Sequence, residues 1–352
     1  MNRFTLDKIA SVTLNCNLHR EVVVSDEYPC REGDVVAARV ASSKGTYNQL
    51  ELTTGRFSQL KPGDLIAGAL GHRRALLGYA GHVPERLGTG DRINLLNLGG
   101  VLGLVDAQNP DLGPPFECEV LGQVLHFPYL GERIGVPANI AQGSSPLLSR
   151  VDCRGVPVVA VAGTCMSSGK TYACATLIQE LVHAGRNVFA AKATGVSLRR
   201  DVWAMEDAGA RRTAIFTDLG VVTTTAANAP GLARSMLTQL AAGAPDVIVL
   251  ELGDGLLGSY GVAAILDQPD LRDAFAAVLL AANDPVAAWG GVRRLDEQHG
   301  IATTVVTGPA TDNVAGTEVI EQLTGVPAIN ARTTPRELVR VIERALEKVQ
   351  HA

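Results

Sequence analysis

Aromatic side chains are scarce, at 4% of 352 residues, so the core must be built from Ala, Val and Leu around tight turns. Basic residues are not in excess either. Lys and Arg number 31 against 36 Asp and Glu, a formal net charge of -5 that excludes a global basic field and counts against a nucleic-acid partner. No apolar run approaches the roughly 18 residues of a membrane span. The first twenty residues hold no continuous apolar core of signal-peptide type. The expectation is a soluble, cytoplasmic protein with no membrane partner. The six cysteines are Cys16, Cys30, Cys118, Cys153, Cys165 and Cys174. They form no CxxC pair, and their spacings suit neither zinc nor a disulfide framework. A hydrophobic content of 46% excludes disorder over most of the chain, and the length suggests two domains.

What is present divides into two textures. Residues 1–138 carry short apolar runs punctuated by Gly, Pro and Asp, such as Glu21–Ser25, Asp34–Ala41, Leu50–Leu52, Asp64–Leu70, Ala75–Tyr79 and Arg92–Leu96. This pattern predicts a smaller, mostly-β domain, a barrel or a sandwich. Residues 139–155 read as linker and lead-in, beginning with the small, polar stretch Asn139–Pro146. Residues 156–352 alternate buried strands, such as Val156–Ala162 and Asp246–Leu252, with helical segments. Alternation of this kind predicts an α/β domain whose mostly parallel sheet is flanked by helices.

The strongest signal is Gly163–Thr171, GTCMSSGKT, placed directly after a buried strand and opening a helix. That context marks a phosphate loop, or P-loop. Its glycines let backbone N–H groups turn towards phosphate oxygens, and the helix N-terminus adds positive potential. Gly163, Thr164, Ser167, Ser168, Gly169, Lys170 and Thr171 are the candidate nucleotide-binding residues. Lys170 is expected on the β- and γ-phosphates and Thr171 on Mg²⁺. The two glycines are separated by five residues where the common motif has four.

GTCMSSGKT resembles the elongated P-loop of dethiobiotin synthetases and cobyrinate a,c-diamide synthases. The similarity extends over about residues 156–329. That family's second strand ends in a Lys and a small-residue segment near the substrate, here Lys192-Ala193-Thr194-Gly195-Val196-Ser197. An Asp opening the next helix ligates Mg²⁺ in the family, and Asp201 of Arg199-Arg200-Asp201 stands in that place, with Asp207 as a rival. A Walker-B-like strand ending in Glu and glycines is matched by Glu251-Leu252-Gly253-Asp254-Gly255, with Asp254 as a rival to Glu251. A hydroxyl (Thr171) and two carboxylates (Asp201, Glu251) suit Mg²⁺ as hard oxygen ligands. All three fall at or just beyond the carboxyl ends of strands, where open α/β sheets bind ligands. The resemblance implies a P-loop NTPase with an additional β domain, catalytic roles for Lys170, Lys192 and Glu251, and a homodimer. Lys192, Thr194, Ser197 and Arg200 are the candidate substrate-binding residues.

The resemblance also implies ATP as the nucleotide. Where the family has an adenine-contacting Asn, however, this chain has Val306-Thr307-Gly308-Pro309, with Asn313 arriving later, so GTP remains open. The expected activity is that of an ATP- and Mg-dependent ligase that activates a carboxylate or carbamate of a small anionic metabolite by phosphoryl transfer. Two alternatives are a small-molecule or polynucleotide kinase and a nucleotide-switched binding protein.

Overall fold

The computed structural model describes residues 2–26, 30–129, 131 and 134–350. The chain forms two compact units. The first comprises Met1–Ser145 with Val196–Arg200 and Thr217–Thr223; the second comprises Pro146–Gly195, Asp201–Phe216 and Thr224–Ala352.

The first unit is a mixed β structure that closes on itself. Phe116–His126 pairs antiparallel with Val35–Val40, which pairs antiparallel with Leu65–Leu70. Leu65–Leu70 runs parallel to Val101–Gln108, and Arg92–Leu95 bridges Val101–Gln108 back to Phe116–His126. Five strands thus complete a barrel, the closure that removes exposed sheet edges. Its core is small and aliphatic, with Val24, Val35, Ala37, Ile66, Leu70, Leu102 and Val120 all fully buried.

Two expectations need correction here. Ala75–Tyr79 is not a strand: Leu76 and Leu77 are exposed, and pairing occurs on either side, at Arg73–Arg74 and Tyr79–His82. Asn139 and Ile140 are not free linker. Ile140 is fully buried, and the Asn139 amide donates to Asp34 and to the Glu32 carbonyl.

The second unit is an α/β layer structure. Its six parallel strands lie in the order Arg212–Ile215, Val188–Lys192, Val247–Glu251, Val158–Gly163, Phe275–Ala281, Val305–Thr307. The central strands are apolar up to their carboxyl ends because helices cover both faces of such a sheet. All five residues of Val158–Ala162 are fully buried. Helices Lys170–His183, Ala229–Ala241, Pro285–His299 and Pro335–Gln350 supply the flanking layers. Among the described residues no helix is long and apolar enough to cross a membrane.

Candidate phosphate and metal site

The site lies at the carboxyl edge of the parallel sheet. Val158–Gly163 is central, with Val247–Glu251 on one side and Phe275–Ala281 on the other. The loop that leaves it is held by Thr164 N–H donating to Ala281 O at 2.9 Å and by Leu256 N–H donating to Gly163 O at 2.9 Å. Gly163 is required here, because a Cβ would fall 2.4 Å from Ser168 Oγ and 2.7 Å from Lys170 Cδ. The chain then turns through left-handed backbone at Ser167 (φ 60°) and Gly169 (φ 94°) into the helix Lys170–His183. The first helical bond runs from Ala173 N–H to Gly169 O. The N–H groups of Gly169, Lys170 and Thr171 are left without an acceptor in the described residues. Such orphan donors at a helix start suit an anion.

Lys170 is buried, with its ammonium donating to Cys165 O at 2.8 Å and to Asp254 O, and with Ser168 Oγ 3.4 Å away. Burial pushes its pKa down, while Glu251 and Asp254 pull it back up. The side chain therefore rests against one carbonyl of the loop and one of the turn after Glu251.

Lys192 and Glu251 end neighbouring strands and are register partners. Glu251 is 2% exposed, and Thr171 Oγ1 donates to its Oε1 at 3.1 Å. Burial raises the Glu251 pKa and the Asp201 carboxylate adds to this; Lys192, Lys170 and the Thr171 hydroxyl oppose it. Lys192 forms an ion pair with Asp201, and both are buried. Lys170, Thr171, Lys192, Asp201 and Glu251 are thus gathered in one place. Asp207, the rival of Asp201, lies exposed at the far end of its helix.

The residues fit a magnesium ion. Glu251 Oε2 and both Asp254 carboxylate oxygens are buried without a hydrogen-bond partner. Burial also raises the Asp254 pKa, against the pull of Lys170. Uncompensated acceptors of this kind are costly unless a cation meets them. Among the described residues no group of three or more His, Cys, Asp or Glu is arranged to hold a metal. The protein would supply part of the shell, with phosphate oxygens and water completing it, as Mg²⁺ prefers.

The remaining candidates fare differently. Thr194 is buried and spends its hydroxyl on Gly253 O at 2.9 Å. Ser197 and Arg200 belong to the first unit. Ser197 Oγ is buried and accepts from Thr217 Oγ1 at 2.9 Å, while Arg200 is exposed. Asn313 caps the helix Val314–Thr324, its side chain accepting from Ala315 N–H at 2.9 Å. Arginines that stand next to a second arginine in the sequence make local engagements: Arg73 donates to Leu96 O, Arg199 pairs with Asp218, and Arg293 pairs with Glu297.

One feature of the second unit escaped sequence reading. A cavity of about 230 Å³ adjoins the phosphate loop, lined by Gly169, Tyr172, Pro309, Asp312, Asn330 and Arg332, among others. Asn330 Nδ2 donates to Asp312 Oδ1 at 2.8 Å, and Asn330 Oδ1 accepts from the N–H groups of Arg332 and Thr333. Arg332 stacks on the Tyr172 ring, 5.6 Å from its centroid. Its only sequence signal is the Asn330 turn after a short buried segment, which many loops share.

No family model and no curated protein sequence matches the chain. Among solved structures, it is similar to a DUF1611 family protein from Anabaena variabilis, at 13% identity and a TM-score of 0.41 over 58% of this chain and 63% of that one. It is similar to the signal recognition particle 54 kDa protein from Aeropyrum pernix in complex with GDP, at 19% identity and a TM-score of 0.36 over 56% of this chain and 49% of that one. It is also similar to the hydrogenase maturation factor HypB from Archaeoglobus fulgidus, at 14% identity and a TM-score of 0.36 over 55% of this chain and 91% of that one. The chain therefore spans less than two thirds of the first two of these proteins.

Proposed function

We propose that the chain binds a magnesium–nucleoside triphosphate at the Gly163–Thr171 loop and uses it to activate a small anionic metabolite. The reaction is that of a dethiobiotin synthetase-like ligase. An acceptor carboxylate or carbamate oxygen bonds to the γ-phosphorus, the bond to the bridging oxygen breaks, and the nucleoside diphosphate leaves. A second nucleophile then displaces phosphate from the activated acyl group. Bound Mg²⁺ would neutralise phosphate charge, held by Thr171 and Glu251 with Asp201 beside them. Lys170 would exchange its two carbonyl partners for phosphate oxygens. Lys192 would meet the charge of the transferring group or of the acceptor.

The observation that carries this reading is the gathering of Lys170, Thr171, Lys192, Asp201 and Glu251 at the end of the loop strand, with Glu251 Oε2 buried and unmet. It is tested by nucleotide turnover with Mg²⁺, with and without pooled cell metabolites, for wild type and Lys170→Ala. Strong metabolite stimulation that the variant abolishes supports a ligase or kinase, and a stable phosphorylated product would identify the kinase. Slow, metabolite-independent turnover would leave a nucleotide-switched binding protein.

A further inference from the structure

We propose that the β-barrel unit carries a binding site of its own for a small organic carboxylate, a cavity in which the Lys44 ammonium meets the carboxylate charge. The site lies wholly within the first unit and does not depend on the nucleotide reading above.

The cavity has a volume of about 560 Å³, within the range of small-molecule sites. Residues 42–46 and 112–115 form much of its lining, together with Asn94 and Val105. Its polar groups are mainly donors. Ser42 Oγ accepts from Glu117 N–H at 2.9 Å, which leaves the hydroxyl proton to donate. Asn94 Oδ1 accepts from Val105 N–H at 3.2 Å, which leaves the amide nitrogen to donate. Val105, Leu112 and Pro115 add apolar surface for a short carbon chain. Glu117 is the one acid in the lining; it is exposed, and its carboxylate lies 3.5 Å from Arg92.

Lys44 is the cation of this lining. Its ammonium donates to Pro114 O at 2.9 Å and to Tyr79 Oη. It also lies 5.0 Å from the Tyr79 ring centroid, 5.9 Å from that of Tyr47 and 6.0 Å from that of Phe116. The rings favour the cation, but an ammonium has three protons and one donor is left over. Burial lowers the Lys44 pKa, and no acidic neighbour opposes this. A second cation stands behind the same ring. Arg73 is buried, donates to Tyr47 Oη at 3.2 Å and to Leu96 O, and lies 5.8 Å from the Tyr47 centroid. Among the described residues neither cation forms an ion pair with a carboxylate. Half-buried positive charge without a counter-ion is costly, and an arriving anion relieves it. Tyr47 is held in left-handed backbone, at φ 52°, a conformation that an aromatic residue rarely adopts. Strain of this kind gathers at binding sites. One free ammonium among neutral donors and apolar walls matches a single carboxylate on a carbon chain. It lacks the guanidinium fork or helix N-terminus that phosphate favours.

The experiment is calorimetric titration of acetate, succinate and glutamate into the full-length protein at constant ionic strength. Inorganic phosphate and the neutral succinamide serve as comparisons. The proteins are wild type, Lys44→Met, Asn94→Asp and Lys170→Ala, with circular dichroism on each. At least one of the three carboxylates should bind wild type at a single site, and succinamide should not. Lys44→Met should weaken that binding about tenfold or more, the scale of a lost charge-assisted contact. Asn94→Asp keeps the acceptor for Val105 N–H but sets a like charge before the ligand, and should weaken it too. Lys170→Ala should bind as wild type does. If Lys44→Met does not fold, Asn94→Asp decides the matter. Failure of all three carboxylates to bind wild type, or tighter binding of phosphate than of any of them, would overturn the proposal. So would unchanged affinity in the folded deciding variant. Loss of binding in Lys170→Ala would place the anion at the phosphate loop and overturn the barrel site, leaving the nucleotide reading standing.

Discussion

Lys192 and Glu251 face each other as the last residues of adjacent parallel strands, a cation and a carboxylate in register at the carboxyl edge of the sheet. Asp201 pairs with the first and Thr171 bonds the second. The phosphate-loop helix and the helix of Asp201 are thereby referred to the same pair of strand ends. A metal-bound phosphate would meet both helices at once.

Thr171 ties the loop helix to Glu251 through its hydroxyl. Thr171→Ala should raise the Mg²⁺ requirement about tenfold or more, whereas Thr171→Ser should stay close to wild type, since it keeps the oxygen. Nucleotide binding titrated against Mg²⁺ checks this.

The Glu251 carboxyl group is pushed above its ordinary value of 4.5 by burial and by Asp201. Without ligand, both folded and unfolded chains hold its proton below that value. As pH rises through it the unfolded chain ionises first, and stability is lost until the folded-state value is passed. Glu251→Gln should therefore melt above wild type at neutral pH, by about 2–4 °C for each kcal/mol recovered. The gap should close as pH falls below 4.5. Melting curves across this range test the sign. A variant less stable than wild type at pH 7 would contradict it.

Gly163→Ala would place a Cβ 2.4 Å from Ser168 Oγ and against the Lys170 stem. The loop must shift to relieve this, so nucleotide affinity should fall about tenfold or more while the far-UV spectrum stays native. Intact affinity would show that the loop does not cradle the phosphates.

Much of the site could be read in the sequence because it is local. The strand, loop and Gly-Lys-Thr of 158–171 are contiguous, and Glu251 follows an uninterrupted apolar run. The barrel was less legible. Phe116–His126 is its longest strand, yet a register shift between Val120 and Gly122, with Gly122 at φ 145°, breaks the alternation that would reveal it. The helix Val314–Thr324 was missed because it buries only Ile320 and leaves Val314, Val319 and Leu323 exposed, so no apolar stripe marks it. Nor does composition show that residues 196–200 and 217–223 belong with the barrel, since their partners Glu51, Asn97 and Gly71 lie a hundred or more positions away.

The central claim is that the Gly163–Thr171 loop binds a magnesium–nucleotide through Lys170. Calorimetric titration of Mg-nucleotide into wild type and Lys170→Ala tests it most directly. The account predicts a single site in wild type, weakened about 10–100-fold by the loss of the buried ammonium. Equal affinity in a folded Lys170→Ala, or no binding of either nucleotide to wild type, would contradict it.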